Sequence, residues 1–277
     1  MLSVFSPIVE SLELANQEVS EPISFLEYIK KYDLKAGGTA THISVQSYQN
    51  LDSFLKERGW MVYRLGARAE AKGTHFGLIK INANWSQHFF LDSKIFKNTS
   101  CQKFTPDWSS DKLLAFSSIP SLTETSYVNL ALALNLFEKS AELEIINQSI
   151  PATGRGNYSF SVRPTNRKPE IKWEHQSGQV EIDSVFIANY FGKKHIVIVE
   201  AKTSKRFDSL AKYKLVYPAL AIRETSDLPI LPVYLRVIES SKSLDFFVGI
   251  CKPVKKTEPL FVDDLQIEVS KKISCLK

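Results

Sequence analysis

Apolar and polar positions alternate most clearly in the second half of the chain. Period-two patterns predict strands in "YSFSVR" (158–163), "GQVEIDSVFIA" (178–188) and "KHIVIVEAK" (194–202), and Asn189 and Gly192 in the short "NYFGK" turn predict a hairpin between the last two. The centre of "KHIVIVEAK" is apolar at successive positions, as in a strand covered on both faces. After it a helix is expected over roughly 207–223, then strands in "ILPVYLRVI" and "LDFFVGICK" and a short one in "LQIEVSKK". Ahead of these strands, "LTETSYVNLALALNLFEKSAELEII" (122–146) reads as one helix. Thr123 and Glu124 open its first turn, Val128, Leu130, Leu132 and Leu136 form its apolar face, and Pro151 and "GRGN" end it.

The first third is patterned differently. "EPISFLEYIKKYDL" (21–34) predicts a helix with Pro22 in its first turn, broken by "KAGGTA". "NLDSFLKERG" (50–59) predicts a second, capped by Asn50 or Asp52 and stopped by Gly59, running into the strand-like "WMVYRL" and then "FGLIKI". Arg64, Arg68, Lys72 and Lys80 decorate that strand pair and face either nucleic acid or water. The Pro, Ser and Asp text of 104–120 reads as a boundary. The expected organisation is an α+β module over 1–115 followed by a mixed α/β core over 116–277, a central mixed sheet flanked by helices.

Composition narrows the class. With 277 residues, 44% of them hydrophobic and 23% charged, the chain has the make-up of an ordinary globular protein with a substantial core. No apolar run reaches membrane-spanning length, and the first 28 residues carry five glutamates and no basic residue, unlike a signal peptide. Cys101, Cys251 and Cys275 are odd in number and far apart, without a CxxC pair, so a cytoplasmic protein without disulfide or zinc framework is expected. The five histidines are scattered and none stands out as a ligand. The net charge of +5 is mild, but the segment 193–214 alone carries seven basic residues against Glu200 and Asp208, an excess equal to that of the whole chain. Such a segment is either a solvated face or a surface for a polyanion.

Candidate chemistry lies at the end of the apolar strand. Strand alternation puts Glu200 and Lys202 on one face, and on the preceding strand it puts Glu181 and Asp183 together. Across a hairpin, Asp183 and Glu200 then meet beside Lys202. Alone, "EAK" reads first as a solvated strand end with a surface ion pair. The added acid at matching parity favours a site: two carboxylates suit Mg²⁺, and an ammonium beside them suits a developing charge on phosphate and an attacking water.

Asp183, sixteen intervening residues and "EAK" resemble the signature of the PD-(D/E)XK nucleases, most of all type II restriction endonucleases, over about residues 122–250. The resemblance implies a restriction-endonuclease-like core in which Asp183 and Glu200 bind Mg²⁺, with Mn²⁺ able to substitute, and Lys202 positions or activates the attacking water. It implies an endonuclease that hydrolyses phosphodiester bonds of double-stranded DNA sequence-specifically, acting as a homodimer, with the module over 1–115 assigned to DNA recognition and a methyltransferase protecting the host. A structure-specific repair or recombination nuclease, or a non-catalytic DNA-binding relative, are the alternatives. Three departures stand out. Ile182 replaces the proline before the acid, Glu181 competes with Asp183 for the metal, and "KYKLVYP" offers Tyr213, Lys214 and Tyr217 but not the glutamine found in one branch. An auxiliary acid is expected from Glu181 or from Glu124, Glu138 or Glu142 on the preceding helix, and phosphate contacts from Arg155, Lys205 and Arg206.

Overall fold

The computed structural model describes residues 3–35, 37–68, 71–140, 143–146 and 149–277, leaving aside the side chains of Ala40 and Ala71. The first part of the chain forms α1 (Ser6–Leu14), β1 (Ile23–Ser24), α2 (Phe25–Lys31), α3 (Thr39–Ile43), α4 (Ser53–Arg58), β2 (Trp60–Arg68) and β3 (Ala71–Lys80). There follow β4 (Phe89–Leu91), α5 (Asp92–Ile95), β5 (Cys101–Phe104), α6 (Asp111–Ser117), α7 (Glu124–Ala133), α8 (Leu136–Ser140) and β6 (Leu143–Ile145). The long strands β7 (Ala152–Val162), β8 (Trp173–Tyr190) and β9 (Lys193–Ser204) come next, then β10 (Ser209–Ala211), α9 (Tyr213–Ile222), β11 (Ile230–Glu239), β12 (Ser243–Cys251) and β13 (Ile267–Leu276).

The central sheet runs β1-β3-β2-β8-β9-β11-β12-β13-β5, with β6 and β7 also paired to β8. It is mixed: β9 and β11 are parallel and joined through α9, while β8–β9, β11–β12 and β12–β13 are antiparallel. The expected hairpin forms with Phe191 and Gly192 both at positive φ, +48° and +71°, the left-handed pair that a two-residue turn between twisted strands requires. β9 is buried on both faces. Ile196 and Ile198 pack with Leu215, Val216 and Leu220 of α9 in one core, and Val197, Val199 and Ala201 pack with Val128, Leu130 and Ala131 of α7 in the other. Each such side chain contributes about 1.5–3 kcal/mol on burial, which explains why "HIVIV" lies in the middle of the sheet.

Several elements differ from expectation for reasons outside their own sequence. The helix expected over 207–223 starts only at Tyr213, because Ser209–Ala211 is drawn into an antiparallel pair with Phe89–Leu91. The helix expected over 122–146 breaks at Asn135, φ +55°, into α7 and α8, and 143–145 becomes a strand on the end of β8. "GRGN", expected to be a loop, is part of β7 because the long β8 offers it a ladder, with Arg155 opposite Glu181. In the first third, Ser24 caps α2 by accepting from the Glu27 N–H at 3.4 Å, and the helix begins at Phe25, later than expected. Asp52 caps α4 and Gly59, φ +71°, ends it as expected.

Residues 1–115 do not stand apart from the rest. Phe5, Tyr28, Trp60, Tyr63 and Phe76 share one hydrophobic cluster with α9 and with Leu260 and Val262, while β5 closes the far edge of the sheet on β13. The expected division at 115/116 runs through this sheet and core. The two parts touch closely where Gly66 of β2 bridges Gln176 of β8. Gly66 has φ +74°, and a Cβ there would stand 2.3 Å from the Gln176 carbonyl oxygen and 2.8 Å from Gly178 Cα. Gly66→Ala is expected to destabilise the protein by roughly 2–4 kcal/mol, combining left-handed strain with overpacking against backbone. An unchanged denaturant midpoint would show that the junction tolerates a side chain.

Candidate active site where two strands part

The β8–β9 ladder runs regularly from Tyr190 opposite Lys193 to Ser184 opposite Val199. There it stops. The next pair would be Asp183 and Glu200, but the Asp183 side chain itself takes the β9 backbone, its Oδ2 accepting from the Ala201 N–H at 2.9 Å. On the other side of β8 the register with β7 shifts between Val185 and Ile182, one extra residue on β8 at the same point. Such a bulge bends a strand and re-aims its side chains. Val180 and Ile182 consequently join one core, and Phe186 and Ala188 the other. Strict alternation therefore cannot be carried from Glu181 through Asp183 to the β9 pairing. Glu181 is exposed, next to Gln179, whose amide donates to it at 3.4 Å.

Four further charged groups gather around Asp183 at the opening. Glu200 is 2% exposed. Lys202 Nζ lies 2.8 Å from Glu124 Oε2 and 3.1 Å from Glu200 Oε1, and Lys214 Nζ of α9 reaches the same Glu200 oxygen at 3.5 Å. Glu124 is presented by the first turn of α7, which Thr123 caps by accepting from the Ser126 N–H at 3.2 Å. The helix N-terminus favours an acid there. Tyr234 and Arg236 stand beside Glu200 and Lys202 across the parallel ladder but are committed elsewhere. Tyr234 donates to Asp92 Oδ1 at 2.8 Å, and Arg236 Nε lies 2.8 Å from Asp92 Oδ2. That buried trio ties the start of α5 to the sheet behind the cluster.

Burial sets the electrostatics. It pushes the Glu200 carboxyl up to about 7, an effect that Lys214 and then Lys202 only partly offset and that Asp183 reinforces. Asp183 is also raised by burial, against the opposing pull of the Ala201 N–H and of Lys202. For Lys202 burial works against the charged form, but Glu200 and Glu124 outweigh it and hold the ammonium above the ordinary lysine range.

The donor chemistry fits a hard cation of the Mg²⁺ type. Asp183 is half-buried beside the fully buried Glu200, whose Oε1 faces the ammonium groups of Lys202 and Lys214 at 3.1 and 3.5 Å. Mg²⁺ takes one or two protein carboxylates and completes its shell with water and substrate oxygens. Among the described residues no group of three or more His, Cys, Asp or Glu side chains is placed to hold a metal ion.

The other sequence candidates are dispersed. Lys205 and Arg206 are exposed in the turn directly after β9, where Ser204 Oγ donates to the Arg206 carbonyl. Arg155 is exposed on β7, in a strand where a loop was expected. Glu138 lies on α8 beside Glu144 and Asn189, lining a pocket with residues at the hairpin end of β8, and Glu142 lies outside the described residues. His88 and His175 are buried and held down to about 3 and about 4, first by burial, which makes them neutral core residues. Lys214 is the member that sequence reasoning missed. Its signal is its place in the first turn of the helix that follows "EAK", where the sequence shows it as one charge of a basic segment and as the residue beside Tyr213 in "KYKLVYP".

Residues 92–269 match a family model described as a domain of unknown function, DUF6997. No curated protein and no solved structure matches the chain. The match begins ahead of residue 115 and takes in Glu124, Asp183, Glu200, Lys202 and Lys214. Because it spans more than half of the sequence, the chain belongs to the DUF6997 family.

Proposed function

We propose that this protein is a metal-dependent nuclease that hydrolyses phosphodiester bonds of double-stranded DNA. The observation that carries the reading is the meeting of Asp183, Glu200 and Lys202 in one largely buried cluster at the point where the β8–β9 ladder opens. A buried charge cluster is an expensive way to stabilise a fold, and replacing one by apolar side chains is often neutral or stabilising. The expense is intelligible as a site for a cation and a polyanion.

Asp183 and Glu200 are the residues to hold Mg²⁺ or Mn²⁺, which supplies Lewis-acid polarisation of a phosphoryl oxygen and a lowered pKa for bound water. Lys202, held 2.8 Å from Glu124 and 3.1 Å from Glu200, is the residue to position or activate the attacking water and to counter charge on phosphate. Glu124 positions Lys202. The exposed Lys205, Arg206 and Arg155 supply backbone-phosphate contacts. In the sequence-specific form of this reading, a two-fold pair of chains cuts a palindrome and a methyltransferase protects host DNA. The described residues contain no helix long and apolar enough to cross a membrane.

The test is digestion of unmethylated duplex DNA of bacteriophage length with Mg²⁺, beside EDTA and beside Asp183→Asn. Discrete fragments that disappear in both controls are expected. DNA left intact with Mg²⁺ and with Mn²⁺, but still bound by the protein, would replace the nuclease by a non-catalytic DNA-binding protein.

A further inference from the structure

A pocket of about 210 Å³ opens between β2, β8 and α9, lined by Arg64, Gln179, Glu181, Tyr213, Lys214 and Tyr217 among others. Its frame is rigid. Tyr217 Oη donates to the Arg64 carbonyl at 2.9 Å and Tyr213 Oη donates to the Val45 carbonyl, so two buried aromatic side chains of α9 fasten the helix to the N-terminal part of the chain. Between these anchors Lys214 lines the pocket while its Nζ stands 3.5 Å from Glu200. Arg64 enters from the N-terminal strand. Among the described residues its guanidinium makes one hydrogen bond, Nη1 to Ser44 Oγ at 3.4 Å, and pairs with no carboxylate. A half-buried guanidinium without a carboxylate, facing a cavity it shares with a lysine, is a site for an anion. Lys214 makes that anion a neighbour of the acid cluster.

We propose that this pocket binds a backbone phosphate of the nucleic-acid substrate, the phosphate next along the strand from the one presented to Asp183 and Glu200. The inference rests on the nuclease reading and extends it: the N-terminal segment is a wall of the substrate site, and Arg64 and Lys214 fix the register of the strand across it. A polymer with regularly spaced phosphates occupies both places at once, which a single free anion cannot do. Glu181 is the one acid among the lining residues and opposes the anion.

The experiment measures binding of a short duplex by fluorescence anisotropy in EDTA at several salt concentrations, with single uncharged methylphosphonates walked along each strand. For the wild-type protein, one methylphosphonate position is expected to weaken binding through the pocket. In Arg64→Gln that penalty should vanish while penalties elsewhere remain, binding should fall about tenfold or more, and the salt slope should drop by about one unit. Arg64→Lys should keep the slope, which separates loss of charge from loss of fold, and Glu181→Gln should tighten binding. An Arg64→Gln protein that melts like wild type and keeps the full slope and the full set of penalties would overturn the subsite, even if the wild-type protein cuts DNA. A wild-type protein that neither binds nor cuts DNA would remove the nuclease reading and the subsite together.

Discussion

Lys202→Ala is expected to reduce Mg²⁺-dependent cleavage of duplex DNA by roughly 10³-fold, the scale seen when one preorganised donor is removed from a developing charge. In the nuclease reading DNA binding rests on cations outside the acid cluster, Arg64, Arg155, Lys205 and Arg206 among them, and should change little. The same substitution removes a cation held 2.8 Å from Glu124 and 3.1 Å from Glu200, leaving Lys214 as the remaining counter-ion of the buried Glu200. Breaking a buried pair from one side costs about 3–5 kcal/mol, so a lower melting temperature is expected as well. Lys202→Arg separates the two effects. It restores charge and stability, but a planar guanidinium does not reproduce the lysine's point contact with a water molecule, and cleavage should stay low. Full-rate cleavage by Lys202→Ala would take this residue out of the mechanism.

Glu200→Gln is expected to stabilise the metal-free protein above neutral pH. Burial raises the Glu200 pKa from the ordinary 4.5 to about 7, so the folded state holds its proton more tightly than the unfolded chain does. Wild-type stability contributed by this group is therefore lost as pH rises from 4.5 through 7. The full penalty, about 3 kcal/mol, is present above 7 and absent below 4.5. Glutamine imitates the neutral form at all pH values. In EDTA at pH 8 the variant should unfold later than wild type, and the two should converge near pH 4. Added Mg²⁺ should raise the melting temperature of the wild type and not of the variant, since a ligand that binds only the folded state stabilises it by mass action. A variant less stable than wild type at pH 8 would mean that the Glu200 carboxylate is a net structural partner of the two lysines.

The parts of the fold visible in the sequence are those that local chemistry decides. Asp52 and Gly59 punctuate α4 because a cap and a left-handed terminus are properties of single residues. The β8–β9 hairpin is legible from Gly192, which takes one of the two positive φ values the turn needs; the other falls on Phe191 and not on Asn189, the residue the sequence singles out. The candidate residues are legible only in part. The hairpin register carries Asp183 towards Glu200 and Lys202, but the ladder ends one pair short of them and strand parity does not cross the bulge in β8.

Long-range pairing hid the remainder. No local signal says that Ser209–Ala211 will leave a helix to join Phe89–Leu91, a partner more than a hundred residues earlier. Parity also fails at the bulge in β8, which set Glu181 apart from the face expected for it.

From the sequence alone came the central apolar strand, the hairpin that carries two acids and a lysine, and the mixed α/β class. Only the tertiary structure decided that Glu124 and Lys214 complete the cluster, that the ladder opens there, and that residues 1–115 share a core and a pocket with the rest. The physical reason is that hydrophobic burial is collective and nearly directionless, so which face of α9 meets β9, and which strand covers that helix, depends on the packing of the whole chain and not on any one segment.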